Sequence, residues 1–440
     1  MATTHAGHTA PRSAPIGAPI DAPAGSRRPW AGRLPDGIAF YLLASIVVFF
    51  LAGSSAPTPL YSTYAAEWGF SPITTTVVFG VYAVAVLAAL LTVGKISDHF
   101  GRRPVLLIAI AGQIVAMTVF LSADGVPILL LARVVQGLAT GAAAGAVGAA
   151  LLDLDQRRGT LANALSTPIG TGLGSIGAGL LVQFLPAPTR LVYALLIGVF
   201  VLQGLGVATM RETVTTKPGA LASLRPEFSL PPRSRRPLLR SVPVLIAAWA
   251  LAGFYGALSP ALVRQLAGSD ALLLGGLPLF VLAGSGATAV AVLRRVETAR
   301  VMLLGTIGLA AGVGVTLLAV HGDSTTGFFA GSIVAGFGFG AAFQAVIRTV
   351  VPTAEAHQRA GLLSVVYTLS YLAMGLPAVI GGYLAVHEGL LTTASQYGLV
   401  VIALALAALV GLAVEARGAA AQVAPALAPR PLELAGAGCD

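Results

Sequence analysis

The sequence predicts an all-α integral membrane protein, with twelve transmembrane helices in two pseudo-symmetric six-helix bundles, and three observations predict it. Of the 440 residues, 56% are hydrophobic and only 10% charged, and the mean hydropathy is +0.86, whereas a soluble domain carries about 25% charged residues. Apolar runs of about 20 residues recur along the chain, each long enough to cross a hydrocarbon core of roughly 30 Å as a helix. Lys and Arg concentrate in alternate loops, the positive-inside distribution of a polytopic membrane protein. Backbone groups in lipid must pair within their own segment, so helices are the expected form.

Residues 1–36 are rich in Ala, Pro, Thr and Ser, carry Arg12, Arg27, Arg28 and Arg33, and read as a disordered cytoplasmic tail. The apolar run that follows begins too late for an ordinary signal peptide. Spans are expected at 38–57, 72–94, 104–122, 126–151, 160–184 and 190–210, forming an N-terminal bundle over 37–210. A basic cytoplasmic linker, 211–242, carries Arg211, Lys217, Arg225, Arg233, Arg235, Arg236 and Arg240 among several prolines. Further spans are expected at 243–263, 272–293, 300–320, 327–350, 360–385 and 395–415, forming a C-terminal bundle over 243–416. Residues 417–440 read as a second disordered tail.

The net charge of +9 does not point to nucleic acid, because the basic residues lie in alternate loops rather than in one patch. Of the 26 Lys and Arg, only Arg190 and Arg264 fall in expected outer loops, and only Arg133 and Arg348 within spans. Both termini are therefore expected in the cytoplasm. Arginine- and alanine-rich usage points to a GC-rich bacterium and hence its inner membrane. The single cysteine, Cys439, excludes an internal disulfide, a cysteine-rich metal site and a CxxC redox motif. Catalytic constellations at membrane depth are absent from the sequence, so an enzyme is not expected.

The halves resemble one another, as in transporters built from repeats. Gly137-Leu138-Ala139-Thr140-Gly141-Ala142-Ala143 in the fourth span matches Gly336-Phe337-Gly338-Phe339-Gly340-Ala341-Ala342 in the tenth. Between the second and third spans, Gly94-Lys95-Ile96-Ser97-Asp98-His99-Phe100-Gly101-Arg102-Arg103-Pro104 sets Asp98 and Arg102 four residues apart, the spacing of a helical ion pair. Its worn counterpart after the eighth span is Arg294-Arg295-Val296-Glu297-Thr298-Ala299-Arg300. A third motif, Arg133-Val134-Val135-Gln136-Gly137, places a charge in the fourth span. A charge at a helix centre costs about 2.5–3.5 kcal/mol on insertion scales. Arg133 lies only about 8 Å into its span, so snorkelling to the interface and burial both remain open.

The 94–104 loop resembles the signature loop of the major facilitator superfamily, and Arg133 to Gly137 resembles that superfamily's motif of an Arg followed by Gln-Gly. The resemblance covers about residues 38–415 and implies the major facilitator fold. It implies gating and coupling roles for Gly94, Asp98, Gly101, Arg102, Arg103, Arg133 and Asp153. In the superfamily the equivalent Asp contacts the start of the eleventh helix, here Arg359 to Gly361, and locks the outward-facing state. The Arg pairs an acid at the end of the fourth helix, here Asp153 or Asp155, and the charge at Arg133 aids proton coupling. His99 stands where relatives usually have Arg or Lys. Gly170-Thr171-Gly172-Leu173-Gly174-Ser175-Ile176-Gly177-Ala178-Gly179 partly resembles the antiporter motif, with Ser175 in place of its Pro; a small-residue helix interface is the other reading. Gly375-Leu376-Pro377 and Gly381-Gly382 in the eleventh span lie closer to that pattern.

No Asp, Glu or His falls in the middle of an expected span, so a cationic substrate is disfavoured and any protons are expected at Asp98 or Glu67. The resemblance implies a cavity between the first, fourth, seventh and tenth spans and their neighbours. Candidates to line it are Tyr61, Tyr64, Tyr82, Gln136, Trp249, Tyr255, Phe343, Gln344, Tyr367 and Tyr371, whose rings and amides suit an amphiphilic organic ligand. Bends are expected at Pro57, Pro59, Gly253, Gly256 and Pro260. The resemblance implies a monomeric secondary transporter in the lipid bilayer, exporting small organic or drug-like molecules, with a proton gradient in place of a cofactor. Nutrient uptake by symport or uniport is the alternative, and a non-transporting membrane scaffold a more distant one.

Overall fold

In the computed structural model, residues 2, 34–215, 218–226, 228–355 and 357–423 are described. Among them are twelve helices long and apolar enough to span a bilayer. The first six are α1 (Asp36–Ser55), α2 (Pro72–Val93), α3 (Arg102–Leu121), α4 (Val126–Leu154), α5 (Gln156–Phe184) and α6 (Pro188–Ala208). The second six are α7 (Pro232–Ala257), α8 (Leu273–Val292), α9 (Thr298–His321), α10 (Thr325–Val350), α11 (Arg359–His387) and α12 (Leu390–Val423). Most of the expected tails, and Cys439, lie outside the described residues.

Polar side chains inside the spans are absorbed locally. The hydroxyls of Ser45, Thr92, Thr118 and Thr368 each donate to a carbonyl three or four residues back on the same helix, so they expose no unpaired donor to lipid. Each half then builds its own core. Leu43, Ile46, Phe50, Leu106, Phe120, Tyr193 and Phe200 anchor the N-terminal one. Leu245, Tyr255, Leu309, Phe328 and Val346 anchor the C-terminal one.

Small residues set the close approaches. A Cβ on Gly137 would lie 2.6 Å from that of Ala85, and one on Gly141 2.6 Å from that of Ala89, so α4 rides on α2. The repeat places Gly336 against Leu282 and Gly340 against Gly286, so α10 rides on α8 in the same manner. The glycine-rich run of α5 serves two neighbours. Gly170 and Gly174 meet Val48 and Ala52 of α1, while Gly172 and Gly179 meet Phe280 and Leu273 of α8. Ser175, in the place of the antiporter motif's Pro, donates to the Gly276 carbonyl at 2.9 Å across the two halves.

Among the described residues, the tightest glycine contacts between the halves lie toward the end remote from the 94–104 loop. Gly382 packs on Thr76, Gly80 on Val379, Gly256 on Phe79, and Gly275 on Pro59. The Gln183 side chain there accepts from the Leu272 backbone N–H at 2.8 Å. The two bundles are therefore clasped at the remote end.

Two expected elements differ. The seventh span begins at Pro232, inside the expected linker of 211–242. A Pro can open a helix because the first N–H groups have no intrahelical partner, so Pro232 starts one where the basic residues and prolines read as loop. The first and seventh spans stop instead of bending: α1 ends at Ser55 and a short helix resumes at Tyr61–Trp68, and α7 ends at Ala257 with a short helix at Ser259–Ala267.

Candidate functional site

The signature loop is a packed charge cluster. Arg102 pairs with Asp98 at 2.5 Å and with Asp153 at 3.3 Å, and its side chain is only 10% exposed. It also donates to the Ser97 hydroxyl at 2.6 Å. Asp155, the other candidate acid, instead caps α5 by accepting from the Arg158 backbone N–H at 2.9 Å. Gly101 has φ +98°, and a Cβ there would lie 2.6 Å from the Glu212 carboxylate.

Glu212, just beyond α6, was not singled out in the sequence. Its two carboxylate oxygens accept from the backbone N–H groups of Arg102 and Arg103 at 2.8 and 3.1 Å. A carboxylate thus answers the unpaired donors and positive dipole end of α3. Thr213 beside it donates to Asp153 at 3.2 Å, and Arg103 donates to the Ala208 carbonyl. The start of the linker is bound into the signature cluster.

The expected contact between Asp98 and the start of the eleventh span is not formed. Among the described residues no ion pair joins Asp98 to Arg359, whose Nε donates to the Ala354 carbonyl at 3.3 Å, and Gly361 packs on Ser229 of the linker. The physical reason is that the halves meet at the other end. Arg348, expected within a span, lies in the last turn of α10 and donates to the carbonyls of Leu293, Val296 and Arg294 in the turn that follows α8.

Arg133 is completely buried, so it does not snorkel. Its Nη1 donates to the Ser54 carbonyl at 2.8 Å and to Gln136 at 2.7 Å, while Nε and Nη2 donate to the Tyr61 hydroxyl. Gln136 donates in turn to the Gly53 carbonyl at 2.8 Å. Because α1 stops at Ser55, the carbonyls of its last turn lack intrahelical partners, and two of them serve Arg133 and Gln136. The guanidinium carbon stands 5.2 Å from the Tyr82 ring centre, 5.6 Å from Tyr61 and 5.7 Å from Phe120. Among the described residues no carboxylate pairs with it; dipoles and ring faces balance the charge.

Tyr61, Tyr64, Gln136 and Tyr255 were expected on the cavity wall, and the structure buries them inside the bundles instead. Tyr61 and Gln136 are occupied with Arg133. Tyr64 donates to the Tyr193 hydroxyl at 3.1 Å and stacks on Trp68, and beyond them a cavity of about 260 Å³ reaches Glu67, Asp124 and Arg190. Tyr255 shares a 2.6 Å hydrogen bond with Ser332 inside the C-terminal bundle.

Trp249, Phe343, Gln344, Tyr367 and Tyr371 are half-buried. Trp249 on α7 lies 5.3 Å from Phe343 and 6.3 Å from Phe339 on α10, and 5.6 Å from Tyr371 on α11. Tyr371 lies on α11 where that helix packs on α2 beside Tyr82: a Cβ on Gly375 would lie 3.5 Å from that of Ala83. Tyr82, the remaining candidate of the N-terminal half, thus stands between Arg133 and this aromatic surface. Arg133 stacks on Tyr82 in one half and Tyr371 packs on Trp249 in the other, where α2 and α11 pack together.

Two repeated six-helix bundles, clasped at one end and joined by a linker at the other, with a buried charge beside an aromatic surface where they meet, have the architecture of multi-pass membrane transporters. The chain belongs to the Major Facilitator Superfamily, whose profile matches residues 43–376. It is 28% identical over 310 residues to a triacylglyceride transporter of Mycobacteroides abscessus, covering 70% of this chain and 54% of that protein. It is 33% identical over 137 residues to the class C tetracycline resistance protein of Escherichia coli, covering 29% and 34%. The chain thus spans about half the length, or less, of these relatives. The crystal structure of the human organic anion transporter MFSD10 (TETRAN) is similar in fold at TM-score 0.60 and 17% identity, over 85% of this chain and all of that one. A structure of the nucleoside transporter NupG is similar at TM-score 0.66 and 13% identity, over 86% and 100%.

Proposed function

We propose that the protein exports small organic, drug-like molecules across a bacterial cell membrane by alternating access, as a monomer with both termini in the cytoplasm. The observation that carries this reading is the pairing, across the packed α2 and α11, of a buried Arg133 stacked on Tyr82 with the half-buried aromatic cluster of Trp249, Phe339, Phe343 and Tyr371. With the signature loop cytoplasmic, the clasp at the remote end leaves that surface open toward the cytoplasm, the side from which an exporter loads. The partial match to a tetracycline resistance protein supports the same direction.

Protons are the coupling ions in this reading. Among the described residues no carboxylate pairs with Arg133, so a proton is held at the rims, by Asp98 at one end or by Glu67 at the other. Glu67 borders the cavity above Tyr64, and Tyr64 shares a short helix with Tyr61, the acceptor for Arg133. Protonation at that rim is thereby linked to the buried charge through one rigid element.

The test is growth inhibition by a broad compound panel in an efflux-deficient host that expresses wild type or Asp98→Asn. Protection by wild type alone supports export. Absence of protection despite membrane expression moves the reading to nutrient uptake by symport or uniport.

A further inference from the structure

We infer that the substrate is an uncharged, ring-bearing molecule that accepts a hydrogen bond from the indole N–H of Trp249; the inference rests on the transport reading above. Trp249 Nε1 is shielded from solvent and has no acceptor in the protein. A buried donor left unpaired is costly, and this one sits among Phe339, Phe343 and Tyr371, whose rings approach within 5.3–6.3 Å. A ligand that wedges beside the half-buried indole meets ring faces for stacking and, once it displaces the side chains that cover the N–H, one donor for an oxygen or nitrogen acceptor. Gln344, the next residue on α10 after Phe343, has a second unpaired buried polar atom, its Oε1, while its Nε2 donates to the Val290 carbonyl at 3.2 Å.

The same surface selects against charge of either sign. A cation would find no carboxylate in the middle of any span, and it would approach Arg133 through Tyr82. An anion would need to pair with Arg133. That side chain is fully buried and engaged by Tyr61, Ser54 and Gln136, which leaves the anion one indole N–H in exchange for its hydration shell. The division follows the repeat. Where α4 carries Arg133, α10 carries the neutral Ser332, bonded to Tyr255 of α7, so the buried charge belongs to the N-terminal half and the aromatic surface to the C-terminal half.

The experiment uses the full chain in lipid nanodiscs, with coumarin as the uncharged probe and with ethidium and fluorescein as cationic and anionic aromatic competitors. Equilibrium dialysis should show coumarin binding that neither competitor displaces. Trp249→Phe keeps the ring and removes the donor, and should raise the Kd about threefold to tenfold. Trp249→Ala should raise it further, and the Phe variant carries the test if the Ala variant does not fold. Wild-type affinity in Trp249→Phe, displacement by ethidium or fluorescein, or no coumarin binding at all would overturn the inference. Efflux from dye-loaded cells separates the two claims: coumarin bound but not exported would sink the export reading and keep the substrate class, whereas export of ethidium alone would do the reverse.

Discussion

Arg133 donates to Tyr61 through two nitrogens, so Tyr61 and not an acid is the group that makes this burial tolerable. Tyr61→Phe would leave two buried guanidinium donors without that acceptor, at about 1–3 kcal/mol for each unsatisfied group. Tyr64→Phe removes only the bond to Tyr193, worth about 0.5–1.5 kcal/mol. Thermal unfolding in detergent should therefore show a clearly lower midpoint for Tyr61→Phe than for Tyr64→Phe. Arg133→Ala should impair transport more than Arg133→Lys, which keeps a charge under the Tyr82 ring; equal rates in wild type and Arg133→Ala would remove Arg133 from the mechanism. Asp98 behaves differently. Its side chain is 40% exposed, and ion pairs near the surface contribute about 0–1 kcal/mol, so Asp98→Asn should leave the melting midpoint nearly unchanged while greatly reducing turnover in vesicles.

At the scale of elements, the signature loop is held by the chain that follows α6. Gly101 adopts φ +98° and ψ 153° against the Glu212 carboxylate, a backbone region populated essentially by glycine alone, where an L side chain costs about 1–3 kcal/mol. Gly101→Ala should lower both stability and transport. Glu212→Gln keeps an acceptor for one of the two α3 N–H groups and loses the charge and the second acceptor, but it leaves the backbone of the loop unstrained, so it should affect both less than Gly101→Ala; a larger loss of thermal midpoint in Glu212→Gln than in Gly101→Ala would contradict this order. The loop was legible in the sequence because Asp98, Gly101 and Arg102 have meaning at fixed spacing. Glu212 was not, because a lone acid in a basic linker has no local pattern, and its role arises only when α6 returns beside α3. Likewise the proline-bearing spans announced a bend at Pro57 and Pro260. Only the structure shows that the helix stops there and hands carbonyls to Arg133 and Gln136. The spans themselves were legible because length and apolarity follow from the solvent. Which face of a span a tyrosine takes depends on neighbours far away in sequence, so Tyr61, Tyr64 and Tyr255 were placed on the cavity and belong to the interior.

At the scale of the whole molecule, the clasp between Thr76 and Gly382, Val379 and Gly80, and Ser175 and Gly276 closes one end, and alternating access requires that it open. The sequence aids the test, because Cys439 is the only thiol and Cys439→Ser yields a clean background. In that background, Tyr367→Cys places a thiol two turns into α11 from the signature-loop end. A membrane-impermeant maleimide should label it in everted vesicles, where the cytoplasmic face is outside, and label it far more slowly in intact cells. Gly382→Leu should change that ratio. A Cβ on Gly382 already collides with Thr76, so a longer side chain would prise the remote end apart and favour the opposite arrangement. Labelling of Tyr367→Cys from the cytoplasmic side should then fall. If Gly382→Leu leaves the everted-vesicle rate unchanged while the protein still folds, the α2–α11 contact is packing and not the gate.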